Sequence, residues 1–347
     1  MMTKKSGCKY SPGKLMKTPI EPVSVDPKAG LRDVLLRMSH ASFQGRMLGE
    51  ALRVWEAMLD AGCYIYLGLS GAMVPAGMRK IIDWLIRTEK IHCLVSTGAN
   101  LFHELHESIG YRHFKGHPAM DDVALNEIEV DRIYDTLAYE KEFRRTDVFV
   151  RDFAAALTKK YQKVTTAKFF DELGAFLKKK GKSGFIVSAH EKKAPIFCPA
   201  IGDSSYGIAM TGMGSAVNLN FDVLGDIHAI STPMFEGRKC GVIYLGGGTP
   251  KNFIQQAEVV AQFRLRNEKG LSEEKIEKIA RGYEFAIQIT TDTPQWGGLS
   301  GCTLQEGQSW GKESADAQIV NLYCDVTIAL PLLANALAQK PKRRSKI

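Results

Sequence analysis

The sequence predicts an α/β fold, a parallel sheet with helices on both faces. Short apolar runs alternate with amphipathic helical segments, the pattern of repeated strand–loop–helix units. The runs also end alike, in small and hydroxylated residues: Leu69-Ser-Gly, Ser96-Thr-Gly-Ala, Gly202-Asp-Ser-Ser, Gly246-Gly-Gly-Thr, Thr290-Thr-Asp-Thr and Tyr323-Cys-Asp. With 347 residues, 45% hydrophobic and 24% charged, the chain can bury a large core.

Residues 1–25 are rich in Lys, Pro and Ser and lack periodicity, so they read as a flexible extension. Leu31–Leu59 has helical periodicity and reads as two helices meeting near Ser39–Gly45. The run from Cys63 to Gly71 is the first strand and loop. Ala76–Glu89 follows as a helix with Met78, Ile81, Ile82, Leu85 and Ile86 on one face. The run from His92 to Asn100 is the next strand, and Leu101–Ile109 the next helix. Residues 111–146 are the least regular part, with a charged helix after Asp121. Helices fill Val148–Lys180. Gly184-Phe-Ile-Val-Ser-Ala-His and Pro195-Ile-Phe-Cys-Pro-Ala resume the alternation as apolar, strand-like runs. Asn220–Ser231 reads as helix. Gly241-Val-Ile-Tyr-Leu is a strand, 246–252 its loop and Phe253–Arg264 a helix. Phe285–Thr290 is a strand followed by a long loop, Ile319–Asp325 the last strand and Val326–Ala338 the last helix. No linker interrupts residues 26–340, which read as one domain; 341–347 is a basic tail.

The formal charge is +8, with part of the excess at the two ends. The body carries no basic run interleaved with aromatics, so nucleic acid is not an expected partner. Seven cysteines stand singly without a Cys-x-x-Cys pair, which suits reduced thiols in a cytoplasmic protein. No apolar run reaches the length of a membrane span. His103 with His106, and His113 with His117, have spacings a metal could use, but no third ligand stands with them, so no metal site is read.

Ligands of an open parallel sheet collect at the carboxyl ends of its strands. The strongest anion cradle there is Gly246-Gly-Gly-Thr-Pro-Lys-Asn. Its glycines admit close backbone approach, Thr249 suits a helix N-cap and Pro250 a first turn. It is neither Gly-x-Gly-x-x-Gly nor a P-loop. Ser70 ends a strand in the same way, and Asp203, Asp292 and Asp325 each follow one, placed to hold ribose hydroxyls or an amine. The other notable stretch is Thr303–Lys312. Thr303 and Glu306 have capping-box spacing, Glu306 and Trp310 are four residues apart, and Gly311 would end the helix. A carboxylate beside an indole suits an organic cation. Lys312, with its pKa lowered by burial, would be a nucleophile toward an imine or carbonyl.

The Gly246–Asn252 stretch, Glu306-Gly-Gln-Ser-Trp-Gly-Lys, Tyr323-Cys-Asp and the ending Leu330-Pro-Leu-Leu-Ala-Asn-Ala-Leu-Ala-Gln-Lys together resemble the deoxyhypusine synthase family, over residues 30–340. The resemblance implies a Rossmann-like NAD-binding fold and a homotetramer with sites at subunit interfaces. It implies oxidation of spermidine by NAD, passage of the butylamine unit to a lysine as an imine, and transfer to a lysine of the hypusine-bearing translation factor. On that resemblance Lys312 is the imine-forming lysine, and Glu306 and Trp310 hold the polyamine. Thr97, Asp203, Ser205, Gly246, Gly247, Gly248, Thr291, Ser300 and Asp325 fall where the family contacts NAD or the pocket floor.

The chain departs from the family at several points. Asn252 replaces a histidine and hydrogen-bonds without shuttling a proton. Ile208 and Leu299 stand where two amine-binding acids are expected, and Trp296 and Gly297-Gly298 replace a more acidic loop. The acceptor is therefore open between a protein lysine and a small diamine, as in homospermidine-type transfer. A plain NAD-dependent amine oxidoreductase and an NAD-binding protein without turnover are the rival classes.

Overall fold

A computed structural model describes residues 12–212 and 218–341. Its strands, in chain order, are β1 (Tyr64–Leu69), β2 (Cys93–Ser96), β3 (Phe114–Lys115), β4 (Val130–Ile133), β5 (Thr136–Tyr139) and β6 (Lys163–Val164). They continue as β7 (Ile196–Phe197), β8 (Asn220–Phe221), β9 (Cys240–Leu245), β10 (Tyr283–Thr290) and β11 (Glu313–Tyr323). Six of them form one parallel sheet in the order β11-β10-β9-β1-β2-β7. The expected α/β architecture is present.

Both faces of the sheet are covered, so its central strands are apolar throughout and β1 and β9 are almost wholly buried. Ile65, Leu67, Leu69, Ile243 and Ile287 face one apolar layer, which includes Leu52 and Trp55 of helix Phe43–Asp60 and Leu330 and Leu333 of helix Val326–Ala338. Tyr66, Val95, Val242, Tyr244 and Ala286 face the other, with Ile254, Ala257 and Ala261 of helix Gly248–Lys269.

The chain winds outward from the centre twice. From β1 it moves to β2 and β7; from β9 it moves the opposite way, to β10 and β11. The reversal lies between the neighbours β1 and β9, in register from Tyr64↔Cys240 to Leu69↔Leu245. A doubly wound sheet opens its ligand crevice at the carboxyl ends of such a pair.

The two helices expected in Leu31–Leu59 are Leu31–Met38 and Phe43–Asp60. Several local expectations are corrected. The run after Gly184 is a helix, Phe185–Lys192. Its first five residues are buried, and a short apolar run does not tell a buried helix from a buried strand. Gly174 lets helix Thr166–Lys179 approach closely, since a Cβ there would lie 2.7 Å from the Ile186 carbonyl oxygen. Residues 111–146 include a three-stranded antiparallel sheet, β3-β5-β4, whose strands are too short to leave a periodic signal. The helix expected at Asn220 starts at Val223, because Asn220–Phe221 pairs with β6. The helix expected from Ala76 opens as a π-turn, Val74–Met78, with Gly77 at φ 89°, before Arg79–Arg87. The ends at 1–11 and 342–347 lie outside the described residues; Glu21 N–H donates to the His40 carbonyl (3.1 Å) and Asp26 pairs with Arg37 (3.0 Å).

His103, His106 and His113 form a cluster between helix Gly98–Ile109 and helix Glu140–Thr158, with His106 buried and the other two half-buried. His113 bonds His103 (3.0 Å) and Glu107 (2.9 Å), and His106 bonds Thr146 (3.1 Å). Among the described residues no three His, Cys, Asp or Glu groups converge to hold a metal. Burial, then the neighbouring His113, pushes His103 down to about 3 and His106 down to about 4. A histidine neutral in the fold binds its proton only on unfolding. Its contribution is therefore lost as pH falls below the unfolded value near 6.5 and on towards the folded one. The buried carboxyl of Glu104, raised to about 7 by burial, acts in the opposite direction, so a single-site difference is the informative test. The stability lost by the protein between pH 7 and pH 5 should be smaller in His103→Gln, by up to about 2 kcal/mol, measured as urea unfolding at each pH.

Candidate active site

Where β1 and β9 end, the backbone closes in from three sides. Gly246 and Gly248 have positive φ (80° and 59°), which glycine adopts without strain. Gly247 between them has no room for a side chain, since a Cβ would lie 2.3 Å from Cα of Ser300. The Ser70 hydroxyl donates to the Gly247 carbonyl across the switch point. Helix Gly248–Lys269 starts there, with Gly247 as N-cap, so its free N–H groups and positive dipole end face the crevice. The helix starts two residues before the expected N-cap Thr249: Gly247 is the N-cap, and Thr249 and Pro250 are the second and third helical residues, with Pro250 in the first turn as expected.

Two cavities meet at this point. One, of about 350 Å³, is lined by Ser70, Gly246, Gly247, Gly248, Thr291, Asp292, Ser300 and Asp325 among others. The second, of about 150 Å³, shares Ser70 and Gly248 and adds Ser96, Thr97, Gly98 and Asp203. Gly98 permits this by close approach: a Cβ there would lie 2.3 Å from Ser204. A larger cavity, about 710 Å³, lies along helix Thr166–Lys179 and holds none of the sequence-derived residues.

The loop between β10 and β11 forms the far wall, fixed by a buried polar hub. Lys251 is fully buried. Its ammonium donates to Gln288 Oε1 (2.9 Å) and to the carbonyls of Leu299 (3.2 Å) and Cys302 (2.5 Å). Gln288 in turn donates to the Ser300 carbonyl (2.7 Å). Burial lowers the pKa of Lys251 and raises that of Glu313. Glu313 takes a bond from Gln255 (2.9 Å) on one oxygen and leaves the other unpartnered.

Thr303 caps the short helix Leu304–Gln308 through its hydroxyl, which accepts from Glu306 N–H (3.3 Å), as the capping-box spacing predicts. Trp310 lies beyond that helix, 70% exposed, and Lys312 Nζ stands 5.8 Å from its ring. Gly311 turns the chain at φ 67°. Lys312 is half-buried, and the lysine buried outright is Lys251.

A family model for deoxyhypusine synthase matches residues 33–337. The chain belongs to the deoxyhypusine synthase family. It is 48% identical over 301 residues to the probable deoxyhypusine synthase 2 of Archaeoglobus fulgidus, covering 86% of this chain and 95% of that protein. To the probable deoxyhypusine synthase 1 of the same organism it is 40% identical, covering 87% and 91%. A crystal structure from Entamoeba histolytica assigned to deoxyhypusine synthase shares the fold, with a TM-score of 0.62 at 16% identity over 94% of this chain and all of that one.

In this family member the structure brings most of the sequence-derived cradle together and leaves the amine segment apart. Ser205 lies just behind the second cavity, at the start of helix Ser205–Thr211. Neither cavity at the crevice is lined by Lys312, Glu306, Trp310 or Asn252. Lys312 precedes β11, whose first residue pairs with Tyr283, whereas Asp325 follows its last, which pairs with Thr290. At ~3.3 Å per residue those two levels of β10 are roughly 20 Å apart. Asn252 is half-buried in helix Gly248–Lys269. Ile208 is 67% exposed and Trp296 79%, so neither of these departures is a core residue.

Sequence reasoning missed Lys251, Gln288, Gln255 and Glu313. Gln288 was the available signal: a polar side chain inside the apolar run Phe-Ala-Ile-Gln-Ile-Thr needs a buried partner. Gly247→Ala would drive a methyl into the Ser300 backbone and displace the loop. The expected outcome is a loss of about 1–3 kcal/mol of stability, with faster amide exchange in residues 299–303 as the measurement.

Proposed function

We propose that this protein is an NAD-dependent transferase that moves an aminobutyl, or related aminoalkyl, group from a polyamine such as spermidine, through an imine on Lys312, to an amine acceptor. The observation that carries this reading is the glycine cradle at the switch point of a deoxyhypusine synthase family member that also keeps Ser-Trp-Gly-Lys. The cradle suits a dinucleotide. Gly246–Gly248 and the start of a 22-residue helix offer N–H groups to a pyrophosphate. The two adjoining cavities suit its two halves, and Asp203, Asp292 and Asp325 stand at their rims for ribose hydroxyls. Bound NAD would supply a hydride acceptor for the donor's C–N bond and return the hydride to the product.

The chain's own residues serve the amine. Attack on an imine needs a neutral amine, and Lys312, half-buried with its Nζ 5.8 Å from the Trp310 ring, is the amine this reading assigns. Trp310 offers an open aromatic face and Glu306 an exposed carboxylate to an ammonium group. Asn252 serves as a hydrogen-bonding side chain. Because Lys312 and the cradle lie at different levels of the sheet, a second copy of the chain supplies Lys312 to a shared site, within a homotetramer. Residues 26–340 act as one catalytic domain in a cytoplasmic enzyme; among the described residues no helix is long and apolar enough to cross a membrane.

A second reading concerns the acceptor. On the family resemblance, Asn252, Leu299 and Ile208 stand in place of a histidine and two amine-binding acids. That loss favours transfer onto a small diamine, homospermidine synthase-type, over transfer onto a protein lysine.

Borohydride added during turnover with labelled spermidine or putrescine should leave label on Lys312, read by peptide mass spectrometry. Lys312→Ala should lose the adduct and roughly 100-fold or more of product formation. Survival of both NADH and product formation in that variant would overturn the transfer mechanism and leave a plain oxidoreductase. No adduct with any amine would leave a binding protein. Lys312→Ala and a cradle-filling Ser70→Leu variant, co-expressed, should regain roughly a quarter of wild-type activity if sites are shared between copies; no recovery would place each site within one chain.

A further inference from the structure

The dinucleotide cradle and the Lys312 segment are built on one loop, residues 291–303, whose regular structure is a single turn at Pro294–Trp296. A loop of this length would not hold its own shape. Its inner side is nevertheless held at three closely spaced points: the Leu299, Ser300 and Cys302 carbonyls each accept a bond from a buried side chain, Lys251 or Gln288. Ser300, at the centre, lines the crevice cavity of about 350 Å³, and Thr303, immediately after Cys302, caps the helix that carries Glu306.

Lys251 is suited to this by its chemistry. An ammonium has three N–H donors, and here three acceptors at 2.5–3.2 Å meet them. Each acceptor comes from a different place: β10, and the two ends of the 299–302 turn. Gln288 extends the hub to the glycine turn with a longer contact to the Gly246 carbonyl (3.4 Å). A fully buried cation is costly, and a methionine would fill the same space at lower cost if packing were the only need. Glu313, also buried, is an acid whose charge acts on it, and Gln255 on the same helix as Lys251 holds one of its oxygens.

We propose that Lys251 is a positioning residue: its buried ammonium clamps loop 299–302 against β10 and the glycine turn, and so sets the cradle wall and the Glu306–Lys312 segment in one fixed register. The proposal rests on the dinucleotide reading of the cradle for its functional consequence, but the clamp itself is tested without any ligand. Gln288 relays the clamp, and Glu313 balances its charge. The loop's two wall functions are therefore coupled, so that loosening the ammonium loosens both.

The test uses the full-length protein as wild type, Lys251→Met and the double variant Lys251→Met/Glu313→Gln. The double variant removes the buried cation and acid together, so it keeps the interior charge balanced and guards against a fold lost to an unpaired buried carboxylate. Amide exchange is followed at 299–303, with helix Val326–Ala338 as an internal reference, and NAD binding by calorimetry. Both variants should exchange at least tenfold faster at 299–303 with the reference helix unchanged, and should bind NAD at least tenfold more weakly. The charge-balanced variant should recover thermal stability without recovering either property, which a merely structural lysine would not produce. Unchanged exchange at 299–303 in the folded double variant overturns the clamp. Faster exchange with unaltered NAD affinity overturns the coupling. If wild type itself binds no NAD, the dinucleotide reading fails, and the exchange measurement still decides the clamp.

Discussion

A parallel sheet that winds outward in both directions from a central pair must leave a cleft where the two windings part. Here that pair is β1 and β9, and much of the chemistry follows from the cleft between them. The connections from β1 and from β9 leave for opposite sides, so their first residues meet only at the strand ends. There the backbone approaches itself closely enough that Gly247 excludes any side chain and Ser70 can bond its carbonyl. At the glycine turn, close approach leaves backbone rather than side chains on that wall of the cleft. Together with a helix amino end, such a surface favours an anion whatever the sequence of the rest.

The price of that arrangement is a poorly supported loop on the β10–β11 side. Helices and strands satisfy their own backbone groups; this loop has carbonyls that turn inward and need donors. Lys251 and Gln288 supply them from regular elements, which explains why an ionic group tolerates complete burial there. The neighbouring Glu313 is less completely satisfied, with one oxygen unpartnered. Polar groups in that state reduce stability rather than add to it. Their presence under the Lys312 segment fits a region where geometry matters more than stability.

Much of the fold was legible because a doubly covered parallel sheet writes itself as apolar runs separated by helices. Ser70, Gly246–Gly248, Asp292 and Asp325 were legible for a related reason: they lie at strand ends, and strand ends were easy to find, whereas Thr97, Thr291 and Ser300 were read from the family resemblance. The short elements were not. A two-residue strand such as Phe114–Lys115 has no period, and Phe185–Ala189 is apolar on every side, as buried strands and buried helices both are. Thr303 announced its cap, but nothing local distinguished the half-buried Lys312 from the buried Lys251. Burial of a single lysine depends on which carbonyls a distant loop places around it, and that is a tertiary fact. The separation of Lys312 from Asp325 along the sheet was equally invisible, since it follows from the register of β11 on β10.

The substituted positions bear on what the site distinguishes. An extended polyamine carries ammonium groups at both ends, and a charge-assisted hydrogen bond to each is worth about 1.5–3 kcal/mol. On the proposed transferase reading, Glu306 and Trp310 offer one such end a partner. On the same reading Leu299 and Ile208 offer the other end none, and no cost of desolvating a carboxylate is incurred when a different group approaches them. A site of this kind loses discrimination for the far end of its ligand while keeping its grip on the near one. The hub beneath is indifferent to that change, because Lys251 holds Leu299 by its backbone carbonyl and leaves the side chain free to vary. The side chain at position 299 can therefore be exchanged without moving the loop, so on the proposed reading one scaffold can serve acceptors of different chemistry.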